Sequence, residues 1–155
     1  MLIDFQDISE DSRLWVYGSE RILSAKEQSD IIETIGEYLK TWEYHNNPLT
    51  GSVTVLESHF IIVALDDSEF GVGGCSIDSL QRIIQELATK INVSLLNRLN
   101  IFCRLEDDIQ CIQSDKLNTI ANSSTLFYDL TIQYKHQLSS YLKPIAKGWC
   151  ANLVE

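Results

Sequence analysis

Residues 59–79, His59-Phe60-Ile61-Ile62-Val63-Ala64-Leu65-Asp66-Asp67-Ser68-Glu69-Phe70-Gly71-Val72-Gly73-Gly74-Cys75-Ser76-Ile77-Asp78-Ser79, decide how the chain can fold. Positions 60–65 are apolar without a break, which fits a central strand covered on at least part of both faces. From Ile77 onward, Leu80, Ile83, Ile84, Leu87, Ala88 and Ile91 recur at helical spacing, and Asp78 with Gln81 stands in capping-box position for a helix over 79–91. Between strand and helix lie three glycines in four residues, followed by a thiol, a hydroxyl and a carboxylate. Such a turn sits where a helix exposes its unpaired N–H groups.

Working outward, Ser52-Val53-Thr54-Val55-Leu56 reads as the other arm of a hairpin closed through Glu57-Ser58-His59. Ahead of it, Ser24 and Glu27 form a capping box that starts a first helix. Its buried stripe is Ile31, Ile35, Tyr38, Leu39 and Trp42, and it ends near 44–47, before Pro48. Arg13-Leu14-Trp15-Val16-Tyr17 is a strand closed by Gly18-Ser19. Beyond the second helix, 99–105 and 109–112 are strands turned by Glu106-Asp107-Asp108, 114–121 a short helix, 125–130 a strand, and 132–142 a helix stopped by Pro144. Strand, helix, strand, strand, helix, strand is the ferredoxin-like βαββαβ order, an α+β fold with an antiparallel sheet, here extended by a hairpin strand and C-terminal helices.

At 155 residues with 45% hydrophobic and 22% charged residues, the chain fits one domain over 1–155 with a core of its own. Twelve Lys and Arg against 22 Asp and Glu give a net charge of −10, which opposes nucleic acid and anionic membrane surfaces as partners. Cys75, Cys103, Cys111 and Cys150 form no C-x-x-C pair, and no histidine stands at zinc-ligand spacing, so no metal is expected. With no secretory signal and no membrane span, the expected setting is a reducing cytoplasm with free thiols.

In the ferredoxin-like order, the end of the first helix, the start of the second and the end of the fourth strand share one edge of the domain. That places His45, Cys75, Ser76, Asp78 and Arg104 together and His59 at the opposite edge. A cysteine before a helix is favoured as thiolate, so Cys75 is a candidate nucleophile with His45 as its base. The N–H groups of Gly73 and Gly74, with Ser76, Asp78 and Arg104, are candidate ligand contacts. Ser76 stands where G-x-G-x-x-G needs its last glycine, and no Gly-Lys-Ser/Thr ending is present, so no nucleotide or other cofactor is expected. Cys103 and Cys111 read as core thiols, and Trp15, Trp42 and Trp149 as core or interface anchors.

Trp15-Val16-Tyr17 with Ser19 and Arg21, Trp42 and His45, Gly74-Cys75-Ser76-Ile77-Asp78-Ser79, and Pro144 with Trp149 together resemble an uncharacterised Bacteroidetes protein family. Its members often carry an automatic label as an ABC-transporter ATPase. That activity needs a lysine-bearing phosphate loop and a metal-holding acid after a strand, and the chain has neither. The resemblance implies a shared fold and a shared site around Cys75, and it brings no activity. Tyr128-Asp129 and Trp149-Cys150 stand where that family leads one to expect Asn-Asn and Trp-His.

Two functions follow. One is a cytoplasmic domain binding a small ligand or a protein partner at the glycine loop. The other is a thiol-dependent enzyme of acyl or thiol transfer with Cys75 as nucleophile. An open sheet edge also leaves room for a homodimer.

Overall fold

The computed structural model describes residues 1–66 and 77–155 in full, and the backbone alone of 74–76. The elements are β1 (Arg13–Gly18), α1 (Ala25–Lys40), β2 (Glu43–Tyr44), β3 (Asn47–Pro48), β4 (Thr50–Leu56), β5 (Phe60–Asp66), α2 (Gly74–Ile91), β6 (Asn100–Leu105), β7 (Asp108–Gln113), α3 (Leu117–Ile120), β8 (Leu126–Tyr128) and β9 (Leu142–Pro144), with 3-10 turns at Ser114–Lys116, Lys135–Ser140, Ile145–Lys147 and Ala151–Val154. The class is α+β with antiparallel sheets.

One sheet has the order β1-β5-β4 and a second the order β7-β6-β8-β9. The first reproduces the β1, third-strand, second-strand neighbours of the ferredoxin order. The fourth strand departs from it: β6 pairs with β7 and β8 instead of with β1. The ferredoxin-like arrangement is thus replaced by two sheets lying face to face, and the β1 edge is left out of the sheet that was to cover it.

Alternation along β5 explains the layering. Ile61, Val63 and Leu65 pack under α1 and α2 with Ile31, Ile35, Leu80 and Ile84. Phe60, Ile62 and Ala64 point the other way and meet Phe102 and Tyr128 of the second sheet. All six of these β5 side chains are fully buried, which accounts for the unbroken apolar run. β6 repeats the device, with Phe102 facing the first sheet while Ile101 and Cys103 face Phe127, Leu117, Ile145 and Cys150 on the outer side.

Local signals hold where they are strong. Ser24 and Glu27 make both halves of the capping box, and α1 starts at Ala25. The chain then forms the small β2–β3 hairpin, where helix was expected to run on, with His45 and Asn46 at positive φ in its turn. α2 begins at Gly74, so Asp78 lies inside the helix and is not its cap. Residues 132–134, expected as helix, instead bind the β1 edge. Leu14 N–H donates to the Gln133 carbonyl (2.8 Å), Arg13 bridges Tyr134, and the Gln137 carboxamide oxygen takes the N–H groups of Gln133 and Tyr134. Tertiary pairing outweighs helix propensity there, and the helical part shrinks to Lys135–Ser140. Lys135, only 7% exposed, points its ammonium at the Phe5 and Ile8 carbonyls (2.7 and 2.8 Å) and so ties down the N-terminal arm.

Candidate functional site

The departure of β6 from the first sheet opens a groove of about 620 Å³ between the β1 edge, the start of β6, β8 and the loops 95–98 and 130–133. Strand alternation sets its walls. Leu14 N–H points away from β5 to Gln133, so two residues on, the Val16 N–H and C=O point outward as well. Neither group has a hydrogen-bond partner among the described residues. Gly18 ends this edge, and a Cβ there would stand 2.5 Å from the Phe102 ring. Only glycine lets that ring reach the strand.

The lining combines aromatic surface with cations. Trp15, Tyr17, Phe102, Phe127, Tyr128 and Trp149 all contribute, and Trp149 is 46% exposed at the rim. The Tyr17 hydroxyl is buried and makes no hydrogen bond of normal geometry; Gln81 of α2 is its polar neighbour. Burial pushes its pKa up, so it stays a neutral phenol. Arg13 stacks over the Trp15 ring (5.2 Å) and Arg98 stands exposed on the loop; among the described residues neither makes an ion pair. No aspartate, glutamate, histidine or cysteine is among the described lining residues. In a chain of net charge −10, the groove is a cationic, aromatic enclave.

The far end of β6 gives the opposite picture. There Arg104 Nη1 donates to the Tyr128 hydroxyl (2.7 Å) and lies 3.4 Å from Glu57 Oε1, while the Tyr141 hydroxyl donates to Glu57 Oε2 (3.0 Å). Glu57 and Ser58 both hold positive φ in the β4–β5 turn, and His59 Nδ1 is spent on the Glu57 carbonyl (2.9 Å). Burial and the Glu57 charge push the Tyr141 pKa up. The open cleft beside this cluster, about 640 Å³, also carries Asp107 and Asp108.

Arg104 therefore stands with Glu57 and His59, at the edge opposite to the one expected for it, because its strand belongs to the second sheet. His45 is exposed at the tip of the β2–β3 turn, its ring against Tyr44 (4.1 Å). Asp78 is exposed on α2. Gly73 and the side chains of Cys75 and Ser76 lie outside the described residues, as does any approach of Cys75 to His45; Gly74 opens α2. The other three cysteines are free thiols with raised pKa values, and burial takes Cys103 and Cys111 to about 11. Among the described residues no cluster of His, Cys, Asp or Glu could hold a metal, and no helix is long and apolar enough to cross a membrane.

Sequence reading missed Arg13 and Arg98 and assigned Trp15 and Trp149 to packing. A cation shows in a sequence, whereas its lack of a partner depends on where distant strands land. Comparison of the chain with family models, curated proteins and solved structures gives no significant match.

Proposed function

We propose that the protein is a cytoplasmic small-ligand-binding domain whose site is the groove between its two sheets, and that its ligand joins an apolar, aromatic-sized body to an anionic group. The observation that carries this reading is a pair of arginines, Arg13 and Arg98, with no ion-pair partner among the described residues, in an aromatic groove with no acid among its described lining residues, on a protein of net charge −10. Cations left without partners on so acidic a chain favour an incoming anion. The volume lies within the range of small-molecule sites, and mostly apolar walls with a few polar groups are what such sites use. Free thiols at Cys103, Cys111 and Cys150 support a reducing compartment.

Titration calorimetry with 3-phenylpropanoate and its neutral analogue 3-phenylpropanamide tests the reading. The acid is expected to bind at least about tenfold more tightly than the amide, the difference an arginine contact to a carboxylate supplies. Equal binding of both, or none by either at millimolar concentration, overturns it.

A further inference from the structure

We infer that the ligand is an N-acylated amino acid with a large apolar side chain and a free carboxylate, an inference that rests on the groove reading above. The added observation is the open stretch of the β1 edge. Val16 presents an N–H and a C=O, both without partners among the described residues, on the same side of the strand and into the groove. Two residues paired across an antiparallel ladder exchange both hydrogen bonds. An amino-acid unit meets that template with its own N–H donated to the Val16 carbonyl and one carboxylate oxygen accepting from the Val16 N–H.

The second carboxylate oxygen is then left for an arginine, and charge-assisted contacts of that kind are the strong ones. Its side chain takes the aromatic wall, with Phe102 held against the strand by Gly18. The nitrogen must be uncharged. A free amino acid would bring an ammonium into a groove that holds Arg13 and Arg98 and no described carboxylate to receive it. Acylation removes that charge and keeps one N–H, the donor the Val16 carbonyl lacks. The buried Tyr17 hydroxyl, with Gln81 as its polar neighbour, adds one polar group to the same wall.

Three probes separate these elements: N-acetyl-phenylalanine, its N-methylated form, and free phenylalanine. N-acetyl-phenylalanine is expected to bind at least about tenfold more tightly than either of the others, one hydrogen bond or one charge conflict being enough for that factor. Its titration should also move the Val16 amide proton downfield in a heteronuclear NMR spectrum, a readout independent of affinity. If the N-methylated probe binds as well, or the Val16 amide stays in place at saturation, the strand-edge pairing is overturned. If phenylalanine binds as well, the uncharged nitrogen is overturned. In either case binding of 3-phenylpropanoate keeps the groove reading standing; failure of every acid probe removes both.

Discussion

The two ends of β6 carry the same kinds of residue to opposite effect. At its end, Arg104 is consumed inside the protein by Tyr128 and Glu57, and Tyr141 closes the cluster on the other carboxylate oxygen. At its start, Asn100 to Phe102 line a groove in which Arg13 and Arg98 meet no acid among the described lining residues. Composition does not distinguish the two ends, since both hold arginine and tyrosine. The difference is occupancy: a charge with its hydrogen bonds satisfied internally holds a turn in place, and one left facing solvent beside apolar walls is available to a ligand. Glu57 and Ser58 sit at positive φ, where residues other than glycine are uncommon, and the Arg104 cluster helps to hold that turn.

The largest expected effect comes from removing the layer both ends share. Phe60 is fully buried and its ring lies 5.4 Å from Phe102, which lines the groove, and 4.8 and 6.0 Å from Tyr128 and Tyr141, which belong to the cluster. Phe60→Ala should destabilise the fold by about 3–5 kcal/mol in denaturant unfolding. If the loss is under about 1 kcal/mol, the sheets do not depend on one packed interior, and groove and cleft must be treated as independent.

How far the sequence foretells this contrast depends on the range of the interaction. The Ser24 and Glu27 box, the β4–β5 and β6–β7 hairpins and the double-faced β5 are decided by neighbours or by one strand's own pattern, and all were legible. The partner of β6 is not a local property. Nothing in residues 99–105 says whether they join β1 or β8, and the groove exists only because they chose β8. Arg104 was singled out because a ferredoxin-like sheet would carry it to the glycine loop; moved to the second sheet, it meets Glu57. Arg98, in a loop with no motif, drew no attention. The glycine loop is distinctive in the sequence, while Gly73 and the Cys75 side chain lie outside the described residues. Alkylation mapped by mass spectrometry addresses Cys75, with the buried Cys103 and Cys150 as slow internal controls.

A smaller effect concerns the wall of the groove. Asp129 is buried just before Leu130 and Thr131, accepts from the Thr131 N–H and hydroxyl, and pairs with Lys143 at 3.0 Å. Burial disfavours its charge, but the Thr131 and Lys143 hydrogen bonds outweigh it and hold its pKa below the ordinary aspartate value. The folded carboxylate therefore binds its proton less readily than the unfolded one. Its stabilising contribution is whole above the unfolded value of about 4 and is lost as pH falls through the folded one. Asp129→Asn should cost about 1–3 kcal/mol at pH 7, with the gap to the parent narrowing as pH falls from about 5 toward 2. A gap independent of pH would mean that the carboxylate's charge does not hold this wall.

The smallest expected change in stability is the one that best separates the two ends. Arg104→Ala removes the donor to Tyr128 and the partner of Glu57, so it should lower the melting temperature while leaving the affinity for 3-phenylpropanoate where it was. Arg98→Ala removes a side chain that makes no ion pair among the described residues, so it should leave the melting temperature unchanged and weaken that affinity by about tenfold. The two variants delete the same guanidinium from the two ends of one strand and its approach, so a difference between them reports position and not chemistry. Should Arg98→Ala lower the melting temperature and spare binding, its charge would be one more structural contact and the groove would lose its anion-holding role. Should Arg104→Ala weaken binding as strongly, Tyr128 would be the bridge, since its hydroxyl serves the cluster and it also lines the groove; Tyr128→Phe, which cuts that link and keeps the ring, would then reproduce the loss.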